Sequence, residues 1–252
     1  MALSLRSNTG SRNGTGCWTC PVHSCLARQG TEASVAAWLE VLAPRVAVMP
    51  GSPPLFRAGA RLQSIYCVRG GCLKTWVVGA EGKERIHGFY LPGDLIGLDA
   101  LWNARTASTA TAVVASQVCV VPVERLKSAV GREPEISLRI AEQTSRQLAM
   151  ALALSADLTA EQRLAAFLVQ MAARLEARNG VFKLPMTRRD VGAYLRLAEE
   201  TVSRLFGAFE QNGLLRCVDK AVQILDAQRL TALAEPGLER RQRAGARSPA
   251  VA

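Results

Sequence analysis

Residues 187–212, TRRDVGAYLRLAEETVSRLFGAFEQN, decide how this chain is read. They predict two short helices joined by a tight turn near Arg196 to Ala198. Thr187 and Asp190 have the spacing of a capping box, which starts the first helix. Val191 and Leu195, one turn apart, give that helix a buried face. Val202, Leu205, Phe206 and Phe209 recur at helical spacing and make an apolar stripe on the second. Glu200, Ser203, Arg204 and Gly207 are left together on its opposite face. A carboxylate can accept from cytosine and an arginine can give two hydrogen bonds to guanine in a major groove. By itself the face also fits a solvated helical hairpin in which Glu200 and Arg204 pair one turn apart.

Composition narrows the partner. The chain has 252 residues, a net charge of +10 and a pI near 9.8, which favours an anionic partner, nucleic acid before membrane. No apolar run is long enough to span a bilayer, and Met1 to Gly16 lacks the apolar core of a secretory signal. The expected location is therefore cytoplasmic, where thiols stay reduced. Seven cysteines there point to a metal or redox site rather than a disulfide framework. The two histidines, His23 and His87, stand with no acid and nucleophile in a catalytic arrangement, and no phosphate loop is present. An enzyme is not expected.

Residues 1–16 read as a disordered lead-in. Cys17, Cys20 and Cys25 follow within nine residues, a density at which thiolates converge on one soft centre, zinc or iron–sulfur. With His23 they could also close a local zinc site. From Arg45 to Pro122 the chain turns to short β-rich runs: 64–69, 72–78, 84–90, 95–98, 108–114 and 117–121. Gly70-Gly71 between the first two is a hairpin signal, and the whole predicts a small antiparallel roll. Pro134 opens a long helix to about residue 158. Ile136, Ile140, Leu148, Leu152 and Leu154 form its soft apolar seam, interrupted by Thr144 and Gln147. Thr159 with Glu161 has a capping-box-like spacing and begins the next domain. Leu214 to Leu225, turning near Asp219-Lys220, reads as a wing, and 234–252 as a disordered basic tail.

Three stretches carry a family resemblance. Met186-Thr187-Arg188-Arg189-Asp190-Val191-Gly192 with Glu200, Ser203 and Arg204 resembles the DNA-binding helix pair of the Crp/Fnr family, in its FNR branch. Leu91-Pro92-Gly93-Asp94-Leu95-Ile96-Gly97-Leu98-Asp99 resembles the part of the FNR effector domain that corresponds to the cyclic-nucleotide pocket. Cys119 takes the place of the distant fourth cluster cysteine.

The resemblance implies an α+β protein. It has a cysteine-rich segment and β-roll (17–133), a dimerisation helix (134–158) and a winged helix-turn-helix (159–233). It implies that Cys17, Cys20, Cys25 and Cys119 hold a 4Fe–4S cluster, with zinc the alternative. Cys67 and Cys72 read as buried small hydrophobes, which is also the alternative for Cys119, and Cys217 reads as structural. Glu200, Ser203 and Arg204, with Thr187, Arg188 and Arg189, would bind a TTGAT-like half-site in double-stranded DNA. A homodimer would read the palindrome, with RNA polymerase as a further partner.

Two departures accompany it: Glu199 replaces the usual valine, and four residues rather than five separate Cys20 from Cys25. Leu98 stands where a nucleotide binder has its ribose-binding glutamate. Arg105-Thr106 is present, but Ala107-Ser108 aligns better with the arginine and hydroxyl of such a binder, so no cyclic nucleotide is expected. The expected function is an oxygen-responsive transcription regulator of anaerobic genes. The alternative is a regulator of the same fold with structural zinc or no metal.

Overall fold

A computed structural model of the chain describes residues 45–132, 134–155, 157–175, 177–219 and 221–234. The lead-in, Cys17, Cys20, His23, Cys25 and residues 235–252 lie outside the described residues. The chain divides into two compact units between Ala149 and Met150, inside the long helix.

The first unit holds β1 (Arg45–Val48), β2 (Ser64–Gly70), β3 (Leu73–Val78), β4 (Glu84–Tyr90), β5 (Leu95–Ile96), β6 (Thr109–Ala112) and β7 (Ser116–Pro122). They form two antiparallel sheets, ordered β1-β7-β2-β5 and β4-β3-β6. Side chains alternate across a strand, and here the alternation builds two cores. Val48, Val68, Ile96 and Val118 meet Leu73 and Ala110 of the other sheet. Their neighbours Cys67, Leu95 and Cys119 turn to the opposite face. There they pack with Ile65, Val121, Leu126 and Ala129 of α1 (Val123–Val130) and Ile136 of α2 (Pro134–Ser155).

The hairpin read at Gly70-Gly71 is corrected: β2 and β3 lie in different sheets. Gly71 takes a φ of 85°, and a Cβ there would strike the backbone of Ala115 and Ser116. Ser116 Oγ staples the crossing by accepting from the Cys72 N–H (3.0 Å) and donating to its carbonyl (3.1 Å). Gly71 thus lets the chain change sheets instead of reversing. The run read as 95–98 ends as a strand at Ile96, and Leu98–Leu101 forms a 3-10 turn.

The α2 seam is also redistributed. Ile136 is buried and Ile140 half-buried against the roll. Gln143 and Gln147 donate to the carbonyls of Gly93 (3.1 Å) and Leu95 (3.0 Å), and Arg146 lies 3.6 Å from Asp94. Gln147, read as an interruption of the seam, therefore binds the roll, as does Gln143. The exposed positions Leu138, Ala141, Ser145, Leu148 and Leu152 follow a separate three-four spacing, with Leu148 and Leu152 about 60% exposed.

The second unit comprises α3 (Ala160–Arg174), β8 (Val181–Lys183), α4 (Arg188–Leu195), α5 (Glu199–Gln211), β9 (Leu215–Val218), β10 (Ala221–Ile224) and α6 (Ala227–Ala234). Its sheet runs β8-β10-β9, all antiparallel. Thr159 caps α3 with Gln162, not with Glu161, because only the third helical residue reaches back to the cap. Strand β8 and helices α1 and α6 were not read from the sequence. The last buries Leu230 and packs on α3.

Candidate nucleic-acid interface

Helices α4 and α5 are the pair expected over 187–212. Thr187 Oγ1 accepts from the Asp190 N–H (3.1 Å), and Asp190 Oδ2 accepts from the Thr187 N–H (3.2 Å), so the first-turn donors are capped. The helix ends at Leu195, and Arg196 adopts the left-handed conformation (φ 59°) that turns the chain. Gly192 makes the turn tight: its carbonyl accepts from Leu197 N–H at 2.9 Å. A Cβ on it would lie 2.7 Å from the Leu197 oxygen. Arg163 of α3 donates to the carbonyl of Leu195 at 3.3 Å, which satisfies one end group of α4.

On α5, Val202, Phe206 and Phe209 are buried and Leu205 is half-buried. Glu200, Ser203 and Arg204 are exposed, as is Glu199. Nothing lies within 4 Å of a Cβ placed on Gly207, so the face beyond Arg204 is open. Among the described residues neither Glu200 nor Arg204 has an ion-pair or hydrogen-bond partner, so the pair that a merely solvated face would offer is not formed. Glu199 and Glu200 occupy the first turn, where the helix dipole favours carboxylates.

The expected basic residues divide. Arg189 is exposed at the start of α4. Arg188 is half-buried, its guanidinium 3.1 Å from the centre of the Phe206 ring and its Nη2 3.5 Å from Cys217 Sγ. Burial lowers the Arg188 pKa, while Cys217 and Glu210 act to raise it. Burial raises the Cys217 pKa, and Arg188 opposes that. Glu210 of α5 accepts from the Cys217 N–H at 2.7 Å. Arg188, Phe206, Glu210 and Cys217 thus tie the first helix, the second helix and the wing. No pattern in the sequence links residues so far apart, and this tie was not foreseen.

Comparison with known proteins settles the family. Residues 162–233 match the Crp-like helix-turn-helix domain, and 49–133 match the cyclic nucleotide-binding domain. The transcriptional activator protein FnrA of Stutzerimonas stutzeri is 42% identical over 71% of this chain and 76% of its own length. The chain belongs to the Crp/Fnr family. The fumarate and nitrate reduction regulatory protein of Salmonella typhimurium is 38% identical over 71% of this chain and 74% of its own. Among solved structures, FixK2 from Bradyrhizobium japonicum superposes with a TM-score of 0.70 at 28% identity, covering 78% of this chain and 98% of FixK2. The chain is accordingly a DNA-binding transcription regulator and not an enzyme.

Of the expected cluster cysteines, only Cys119 is among the described residues. There it is 5% exposed in the core beneath α1 and α2. No group of three metal-binding side chains occurs among the described residues. Cys119 stands directly opposite Arg45, where the described chain begins. Cys25 precedes Arg45 by twenty residues, a length that can span roughly 65–70 Å extended. Cys119 could supply one of the four thiolates that such a centre needs, and the other three lie outside the described residues. Cys67 and Cys72 are buried as read, and Cys217 is only half-buried.

The nucleotide-pocket stretch has structural duties. Asp94 Oδ2 accepts from Leu91 N–H at 2.8 Å and closes the Leu91 to Asp94 turn. Leu98 is buried in the outer core. Asp99 Oδ2 accepts from the Ala107 N–H at 3.0 Å, so a carboxylate already occupies a backbone donor of the expected phosphate position. Arg105 donates to the Gly59 carbonyl at 2.8 Å.

Proposed function

We propose that this chain is an FNR-type activator that couples a 4Fe–4S cluster, held by Cys17, Cys20, Cys25 and Cys119, to DNA binding in the bacterial cytoplasm. Relatives named as transcriptional activators, anaerobic regulators and fumarate and nitrate reduction regulators support the anaerobic role. The observation that carries the coupling is the position of Cys119. Its side chain shares one core patch with Ile136 of α2, and the exposed positions Leu138, Leu148 and Leu152 lie on that same helix. The bound cluster supplies reactivity toward oxygen.

The chain's residues do the rest. Cys119 transmits occupancy to α2 through Ile136 and its neighbour Ile140. Leu138, Ala141, Ser145, Leu148 and Leu152 pair α2 with a second copy. Each copy then presents Glu200, Ser203 and Arg204 to half of a TTGAT-type palindrome, while Arg189 and the Thr187 end of α4 hold phosphate. Arg188 keeps the two helices and the wing in register. RNA polymerase is the partner once DNA is bound. Cyclic nucleotide is not a ligand, because the Ala107 donor is taken and position 98 carries no carboxylate.

Iron and acid-labile sulfide are measured on anaerobically purified chain and on Cys119→Ala. Both elements in the native chain and their loss in the variant are expected. Zinc alone in the native chain contradicts the cluster.

A further inference from the structure

We propose that Cys67 and Cys119 form a reversible cross-strand disulfide when the protein meets peroxide. The two residues are direct partners in the antiparallel pairing of β2 with β7. Opposed residues point to the same face, and both side chains lie in the core patch that α1 and α2 cover. Directly opposed antiparallel residues have Cα atoms about 4.5–5.5 Å apart. A disulfide needs about 4.4–6.8 Å, so neither strand has to move far. Cys72 lies between β2 and β3, at the crossing between sheets, and among the described residues no strand register sets it opposite a cysteine.

Cys119 is 5% exposed and Cys67 0%, and Cys119, the less enclosed of the two, is taken as the thiol that peroxide oxidises. The Cys119 thiolate attacks one peroxide oxygen; an S–O bond forms, the O–O bond breaks and hydroxide leaves. The product is a sulfenic acid, in which sulfur is oxidised and peroxide reduced. The Cys67 thiolate then attacks the Cys119 sulfur, forming S–S and expelling hydroxide, which takes up a proton. Two thiols and one peroxide give one disulfide and two waters. Cytoplasmic thiols would return the pair to its reduced form. The consequence for metal binding rests on the proposed function: a Cys119 sulfur bound to Cys67 is closed to iron.

The full chain, reduced and metal-free, is treated with hydrogen peroxide, alkylated, digested and analysed by mass spectrometry. A peptide pair linked through Cys67 and Cys119 is expected, lost on treatment with dithiothreitol. In Cys67→Ser the link is absent, and Cys119 accumulates as a sulfenic acid trapped by dimedone. Iron uptake by the peroxide-treated native chain should be lost and recovered with dithiothreitol. Finding Cys67 alkylated while Cys119 is oxidised, or Cys119 linked instead to Cys17, Cys20 or Cys25, overturns the proposal. A Cys67–Cys119 link in a chain that never binds iron sustains it and removes the cluster instead.

Discussion

Gly192→Ala tests the turn that sets the recognition helix. A methyl group at 192 would lie 2.7 Å from the Leu197 oxygen, and that oxygen belongs to backbone rather than to a movable side chain. The same turn is closed by Leu197 N–H on the Gly192 carbonyl at 2.9 Å, so relieving the clash strains that bond. Overpacking of this kind costs about 1–3 kcal/mol. Replacing a helical glycine with alanine returns about 0.5–1 kcal/mol. The net expectation is a loss of about 0–2.5 kcal/mol, whose middle, near 1.3 kcal/mol, is roughly a tenfold drop in local protection.

Hydrogen exchange of peptides covering 187–212 reads this directly, and Gly207→Ala supplies the opposite sign. It lies in the same helix pair with nothing within 4 Å of its new Cβ, so it should gain about 0.5–1 kcal/mol. Equal or greater protection in Gly192→Ala would refute the close approach.

Arg204→Ala should cost about 1–3 kcal/mol per half-site on TTGAT-type DNA and far less on scrambled DNA; competition binding at two salt concentrations separates base reading from charge. Thr187→Ala should cost about 1 kcal/mol of stability, seen in thermal unfolding, because it removes the capping box of α4. Leu148→Glu should abolish the anaerobic dimer in sedimentation while the monomer stays folded, since Leu148 is exposed in one copy. Cys72→Ala should keep its iron where Cys119→Ala loses it, as metal analysis will show.

The helix pair was legible because its signals are local. A capping box, a helical apolar stripe and a polar face all lie within one short stretch, and the structure places each accordingly. The strands of the roll were legible from their alternation, but their partners were not. Gly70-Gly71 reads as a reversal, and only the packing of Gly71 against Ser116 makes it a crossing between sheets. The α2 seam was misjudged for a related reason: apolar residues on two faces were read as one. Gln147 looked like an interruption until its bond to the Leu95 carbonyl gave it a use. Arg188 was read as a DNA-binding residue with Thr187 and Arg189, yet its neighbours Phe206 and Cys217 come from elements separated from it in sequence.

The most direct test is the affinity of the native chain for a TTGAT-type palindrome and for scrambled DNA of equal length, measured without oxygen and again after air. Tight binding to the palindrome alone, lost in air with the loss of iron, is predicted. Binding that ignores sequence, or that survives air and iron loss unchanged, would contradict the account.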